Sequence, residues 1–523
     1  MQDDATKPHA RDAEWLKPRA DIAPNTAEYE TLPLVKPTGF REYDARWLHF
    51  GEDEKTKQPV SEINLPGVRL LGMGLGTLLH EAGVRPAVVV GHDYRSYSQS
   101  IKQALIAGLL ASGVEVHDIG LALSPTAYFA QEHLNVPGVA MVTASHNENG
   151  WTGVKMGMNP PLTFGPDEMG RLKEIVLSGA VQQRAGGSLH LHPEIRQAYI
   201  DDLIRRGGRL KRKLKVVCAC GNGTAGLFAP VVLRAMGVEV IELHCRLDHA
   251  FPHYNPNPEA MEMLEDMAAA VKAHGADLAL GFDGDGDRCG VVDNEGHEIF
   301  ADKIGVLIAR DLARKYPGAK FVADVKSTAL FATDPVLKEL GAETDYYKTG
   351  HSYIKRRTTE IGALAGFEKS GHFFFRPPLG LGYDDGIISA IAVLHMLDAN
   401  PDKSMAELLR ELPRTWATPT MAPHCPDEVK YDVVARISDH YHRLQEQGAE
   451  VAGQCITHIN TVNGIRFTLE DGSWGLVRAS SNKPELVVVC ESPTSEAMMR
   501  AIWENIRDHL ATCPEVGEYN QTI

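Results

Sequence analysis

The feature that most restricts the fold of this chain is a unit that repeats three times. A short apolar, β-branched run leads into a helical stretch that stops at glycine, a second strand opens there, and a third strand ends in a polar loop. The first strands are AVVVGHD (87–93), KVVCACG (215–221) and FVADVKS (321–327). Runs of this kind are expected as strands of a parallel sheet buried on both faces. The helical stretches stop at Gly113, Gly237 and Gly341, where glycine suits a helix terminus, and GVEVHDIG, GVEVIELHC and GAETDYYKTG follow. The third strands are GVAMVTASHN (138–147), ADLALGFDGDGD (276–287) and GALAGFEKSGH (362–372). From about residue 414 the pattern changes to one long helical segment, YDVVARISDHYHRLQEQG, followed by the alternating runs GIRFTL, GLVRASS and ELVVVCE, which suit antiparallel strands.

The expected fold is therefore three topologically similar α/β domains plus a C-terminal α+β domain around a central cleft. A length of 523 residues agrees, because single cores stop growing near ~250–300 residues. The expected boundaries are 37–190, 191–298, 299–413 and 414–523. Residues 1–36, polar and carrying Pro8, Pro18, Pro24 and Pro33, are expected to form a flexible extension.

In sheets of this type ligands gather beyond the carboxyl ends of the strands, so the three loops hold the candidate chemistry. DGDGDR (283–288) puts Asp283, Asp285 and Asp287 on alternate residues of a loop loosened by glycine. Two like charges ~4 Å apart repel by about 4 kcal/mol at an effective dielectric near ~20, so three carboxylates around one point call for a divalent cation. All-oxygen ligands suit magnesium or calcium. A calcium-binding EF-hand loop fails on position: it needs Gly sixth and Glu twelfth, where Arg288 and Asn294 stand, and strands rather than helices flank it. The competing reading is a solvated acidic turn.

Magnesium usually completes its shell with water and phosphate. Ser145, in TASHN beyond a buried strand and beside His146, is the hydroxyl placed to carry a phosphate. Taken alone, that triplet reads as an ordinary turn or cap. GFEKSGH offers Glu368, Ser370, Gly371 and His372, a set suited to sugar hydroxyls. GLVRASSN offers Arg478, Ser480, Ser481 and Asn482, suited to a phosphate group.

Composition narrows the class further. A net charge of −16 disfavours nucleic acid and acidic membrane surfaces, and no apolar run reaches the ~18 residues of a membrane helix. The start MQDDATKPHARDAEW is acidic and lacks an apolar core, so a cytoplasmic protein is expected. Eight scattered cysteines are too few for a disulfide scaffold, and Cys218 and Cys220 are expected as buried thiols.

In order along the chain, FREYDAR (40–46), TASHN (143–147), FDGDGDR (282–288), KTGHS (348–352), FEKSGH (367–372) and GLVRASS (475–481) resemble the signatures of the α-D-phosphohexomutase superfamily. Within it the bacterial phosphomannomutase/phosphoglucomutase enzymes are the nearest likeness, over roughly residues 37 to 515. The resemblance implies an isomerase that exchanges hexose 1-phosphate and hexose 6-phosphate, of mannose or glucose, through a phosphoserine and a hexose 1,6-bisphosphate. It implies one Mg2+ per chain, held by Asp283, Asp285 and Asp287 with an oxygen of phosphorylated Ser145. It sets Arg46, His146 and Lys155 by the phosphoserine and His372 by the sugar. Substrate contacts are implied for Tyr43, Arg288, Lys326, His351, Glu368, Lys369, Ser370, Gly371 and His372, with Arg478, Ser480, Ser481 and Asn482 around the phosphate that does not react.

The expected partner is a small phosphosugar, bound by a monomer or a homodimer. The sequence departs from the family at His92 and Trp47, where relatives carry Arg and Gly, and at Lys369, where the mannose and glucose enzymes carry Met. Phosphoglucosamine mutase and a serine-dependent sugar phosphatase are the alternative activities.

Overall fold

The computed structural model describes residues 15–53 and 56–523. The chain divides into two compact units, one running to Ile299 and taking in Phe375–Pro401, the other combining Phe300–Phe374 with Asp402–Ile523.

The first unit holds two large sheets besides the short pair Gly51–Glu52 and Pro59–Val60. In one, the central strand Ala87–His92 pairs in parallel with Glu115–Leu121 and with Gly138–Val142, and Trp151–Gly157 runs antiparallel beside Gly138–Val142. Val88, Val89 and Val90 have no exposed surface, as a strand covered on both faces requires. In the other, Lys215–Ala219 pairs in parallel with Glu239–Leu243 and Leu278–Phe282, while Cys289–Asp293 is antiparallel to Leu278–Phe282. The second unit repeats the order: Lys320–Asp324 lies in parallel between Glu343–Tyr347 and Ala365–Phe367, and Phe373–Phe375 follows at the edge.

Three sheets thus share one strand order, second-first-third-fourth, and the threefold repetition in sequence is a repetition of topology. The sheets are mixed, however, rather than parallel throughout. Only residues 283–288 separate Phe282 from Cys289. A parallel return needs a crossover of a dozen residues or more, so a link this short permits only a hairpin.

The C-terminal segment is α+β, as expected. Six strands, in the order Trp416–Ala417, Leu486–Ser492, Trp474–Ala479, Ile465–Leu469, Gln454–Asn460 and Glu450–Val451, form one antiparallel sheet. The helices Lys430–Gln447 and Glu496–Leu510 supply Ile437, Tyr441, Ile502 and Trp503 to a core shared with Phe467 and Val488. The opposite face carries Trp474, Leu476, Val487 and Val489, which cluster with Val325, just past the strand Lys320–Asp324.

The N-terminal expectation needs correcting over residues 15–36. Leu16, Ile22, Leu34 and Val35 are buried, Arg19 N donates to Pro33 O at 2.9 Å and Val35 N to Arg19 O at 3.0 Å, and the Arg69 guanidinium lies 4.6 Å from the Trp15 ring. Apolar residues at irregular spacing pack against a neighbouring core without a helix or strand period to announce them. The rest of the proposed extension, residues 1–14, lies outside the described residues. Among the described residues no helix is long and apolar enough to cross a membrane.

Candidate active site

In the first unit, Ser145 follows the strand Gly138–Val142 and is almost wholly buried. Its backbone is left-handed, with φ of 52°, an uncommon state for a residue with a side chain. A buried frame holds it there. Ser145 N donates to Thr143 Oγ1 at 2.8 Å, Thr143 Oγ1 donates to Asp93 Oδ2 at 2.9 Å, and Arg95 donates to the carbonyls of Ser145 and Asn147 at 3.0 and 2.7 Å. Strain concentrated at one exactingly held residue is typical of functional sites.

The Ser145 hydroxyl donates to Asp283 Oδ2 at 3.0 Å and lies 3.3 Å from His146 Nδ1. Residues 138 apart in sequence are thereby in direct contact. Asp283, Asp285 and Asp287 have no exposed surface, and each offers a carboxylate oxygen within 4.8 Å of the others. Two glycines make the loop possible. A Cβ on Gly284 would stand 2.5 Å from Ser145 O, and Gly286 adopts φ of 73°.

The electrostatics are those of an ion site. Burial, then Asp285 and Asp287, hold the Asp283 carboxyl well above the ordinary range. Burial would raise Asp285 too, but Lys155 Nζ at 2.7 Å and the Ser124 hydroxyl at 2.5 Å outweigh it and hold Asp285 low. Lys155 also bonds Asp287; burial alone would lower its ammonium pKa, and the two carboxylates instead hold it well above the ordinary lysine value. Asp285 Oδ1 is buried without a hydrogen-bond partner. A buried carboxylate oxygen left unmatched amid three aspartates is what a divalent cation would satisfy, so the residues present could hold a metal ion.

Arg46 stands at the same place: its Nε pairs with Asp44 Oδ2 at 2.9 Å and its Nη1 donates to Asn147 Oδ1 at 2.7 Å. Arg288 bonds Glu259 at 3.1 Å, and its own amide donates to Asp283 Oδ1 at 3.2 Å. Tyr43, three residues before Arg46, is buried.

The second unit gathers the remaining candidates. Glu368 Oε1 accepts from Gly350 N and Oε2 from the Ser370 hydroxyl, both at 3.0 Å; Gly371 closes the turn with φ of 90°. Burial holds the Glu368 carboxyl above its usual value. The His351 and His372 rings lie 6.0 Å apart, and Lys326 is buried on the loop after Lys320–Asp324. Arg478 donates to Asn463 Oδ1 at 2.7 Å and to the Ser481 hydroxyl at 3.2 Å, while Lys430 donates to Ser480 O at 2.6 Å. Asn482 adjoins them on the same turn. Asn463 Oδ1 also accepts from Thr349 N at 3.2 Å, so one amide ties the KTGHS loop to the RASSN turn.

Lys369 is buried like its neighbours, with Nζ 3.6 Å from Asp302 Oδ2 and 4.6 Å from the centre of the Phe300 ring.

Sequence reasoning missed Asp93, Arg95, Ser124, Lys430 and Asn463. Ser124 had a signal, a serine before proline at a helix start. The others act through contacts distant in sequence that no local pattern encodes.

Four family models match in series: the three alpha/beta/alpha domains of phosphoglucomutase/phosphomannomutase over residues 48–182, 197–296 and 300–416, and its C-terminal domain over 426–509. The chain belongs to the phosphoglucomutase/phosphomannomutase family. Among its relatives is the phosphomannomutase/phosphoglucomutase of Pseudomonas syringae pv. tomato, 35% identical over 472 residues, which are 90% of this chain and 94% of that one. The phosphoglucomutase of Neisseria gonorrhoeae is 34% identical over 82% of this chain and 90% of its own. The crystal structure of a phosphoglucomutase/phosphomannomutase family protein from Burkholderia thailandensis aligns with a TM-score of 0.79 at 30% identity, covering 92% of this chain and 99% of that one.

Proposed function

We propose that this chain is a cytoplasmic, magnesium-dependent phosphohexose mutase that interconverts hexose 1-phosphate and hexose 6-phosphate, of mannose or glucose, through a phosphorylated Ser145. The observation that carries the reading is the contact between the buried Ser145 hydroxyl and Asp283, inside a carboxylate trio with an unmatched oxygen.

Phosphoryl transfer asks for in-line placement and neutralised charge more than for covalent chemistry from the protein. Bound Mg2+, on Asp283, Asp285, Asp287 and a phosphoserine oxygen, would supply charge neutralisation at the transferring group. Lys155 and Arg46 add fixed positive charge beside it. The Ser145 O–P bond breaks as a sugar hydroxyl oxygen bonds to phosphorus; that hydroxyl's proton passes to His146 or His372, since Asp285 and Asp287 keep Lys155 an ammonium, the Ser145 oxygen takes up a proton as it leaves, and the product is a 1,6-bisphosphosugar. The bisphosphate turns over, and Ser145 takes back the other phosphoryl group. Glu368 and Ser370 grip the sugar hydroxyls in either orientation, and Arg478, Ser480, Ser481 and Asn482 hold the spectator phosphate.

A panel of 1-phosphates with trace bisphosphate activator tests the reading: comparable kcat/KM for glucose and mannose, with little for glucosamine, is expected. Glucosamine belongs in the panel because a probable phosphoglucosamine mutase of Methanothermobacter thermautotrophicus is 31% identical over 81% of this chain. Free phosphate released without hexose 6-phosphate would contradict a mutase.

A further inference from the structure

Three of the eight cysteines converge in the first unit, at residues the reaction does not use. Cys218 lies in the strand Lys215–Ala219, Cys220 follows it directly, and Cys245 stands just past the parallel neighbour Glu239–Leu243. Cys220 Sγ is 3.5 Å from Cys245 Sγ and 3.9 Å from Cys218 Sγ. All three are buried, Cys218 and Cys220 with no exposed surface and Cys245 with 6%.

Backbone geometry selects one pair. Cys218 and Cys220 are separated by one residue on an extended segment, so their Cα atoms stand about 6.6–6.8 Å apart, at the upper limit a disulfide spans. Cys220 and Cys245 instead sit on adjacent strand ends. Ala219 is in register with Leu243, and Cys220 N donates to Leu243 O at 3.1 Å. His244, with φ of 51°, turns the chain there and brings Cys245 Sγ closer to Cys220 Sγ than Cys218 Sγ comes.

The surroundings favour a neutral product. Tyr254 and Pro256 lie against Gly221, next to Cys220, and three buried thiolates around a soft cation would leave buried negative charge. Contact with Cys218 and Cys220 draws the Cys245 thiol down to about 5, which makes it the nucleophile of the three.

We propose that Cys245 and Cys220 are a dithiol–disulfide pair oxidised by a hydroperoxide, and that closing the bond displaces the loop of the three aspartates. The Cys245 thiolate attacks the peroxide oxygen; the O–O bond breaks, an alcohol or water leaves after protonation, and Cys245 becomes a sulfenic acid. The Cys220 sulfur then displaces that oxygen as water, forming the S–S bond with the loss of its own proton. In sum, two thiols and one hydroperoxide give one disulfide, one alcohol or water from the peroxide, and one water.

Closure brings the sulfurs from 3.5 Å to ~2.05 Å. The backbone beside them has little slack. Gly223 N donates to Cys220 O at 2.8 Å, Thr224 N donates to Gly284 O at 3.3 Å, and a Cβ on Gly226 would meet Cys245 O at 1.9 Å. Movement at Cys220 therefore reaches Gly284, between Asp283 and Asp285.

The test is a non-reducing peptide map of the full chain after treatment with hydrogen peroxide, with hydrogen exchange of the segment Asp283–Arg288 read in parallel. A Cys220–Cys245 linked peptide, lighter by two hydrogens, is expected, together with several-fold faster exchange of that segment; dithiothreitol reverses both, and Cys245→Ser and Cys220→Ser each abolish both. A map with no such link, a Cys218–Cys220 link, or zinc retained by the cluster at one per chain would overturn the pair. A link that leaves exchange at Asp283–Arg288 unaltered would overturn the coupling. Neither readout needs turnover, so failure here is distinct from failure of the mutase reading.

Discussion

Gly284 shows how closely single residues are bound to the chemistry. It separates two of the three aspartates, and its missing side chain is what lets the carboxylate loop touch the Ser145 carbonyl. Gly284→Ala forces backbone apart from backbone, and overpacking of this kind costs about 1–3 kcal/mol. The expected outcome is a lowered unfolding midpoint together with a raised Mg2+ requirement, measured by chemical denaturation and by magnesium titration of the mutase assay. Ser145→Ala leaves the volume of the site almost unchanged and removes the proposed phosphoryl carrier. Turnover should fall by on the order of 1,000-fold or more, as when other nucleophiles are removed, while binding of hexose 1-phosphate by calorimetry persists. Chelation should abolish turnover and added Mg2+ restore it, since Asp285 Oδ1 has no partner of its own. Ser145 and the aspartates were legible in sequence because their loops end buried strands and carry unusual residue types. Asp93, Arg95 and Asn463 were not, because they work by bonding backbone or neighbouring side chains across 50 or more residues.

At the scale of elements, Glu491 ties three together. From the strand Leu486–Ser492 it accepts from Lys303 Nζ at 2.8 Å on the helix Ala301–Lys315, and from the Thr328 hydroxyl and Ala329 N at 2.9 and 3.0 Å. Burial would raise its carboxyl, but Lys303 and these donors hold it down at about 2. A carboxyl held lower in the folded state stabilises it above the unfolded value of 4.5 and loses that contribution as pH falls toward about 2. The contribution is about 3 kcal/mol at neutral pH. Urea midpoints should therefore drop as pH falls from about 5 to about 3, and Glu491→Gln should flatten that part of the profile. The repeated strands were readable from their β-branched runs. The strand after DGDGDR was readable too, but its antiparallel direction follows from how short the connecting loop is, a property of the path between runs rather than of the runs themselves.

For the molecule as a whole, the order of the chain matters more than its length. It leaves the first unit after Ile299, returns for Phe375–Pro401 and leaves again, so neither unit is one continuous segment. The boundary near residue 414 that composition suggests therefore falls within the second unit. Ending the chain there would strip Trp474, Leu476, Val487 and Val489 from Val325. Such a truncation should be insoluble or bind the dye ANS strongly, in place of leaving three independent α/β domains. With a net charge of −16, an anionic ligand has to be drawn in by local cations rather than by the field of the whole surface. Phosphoryl exchange at Ser145 remains the centre of this picture, and single turnover reads it most directly: protein treated with hexose 1,6-bisphosphate is digested and mapped, before and after excess hexose monophosphate. The expected result is a phosphate on the Ser145 peptide that leaves as bisphosphate forms. Phosphate on another residue, or its departure as free phosphate with no bisphosphate formed, would contradict it.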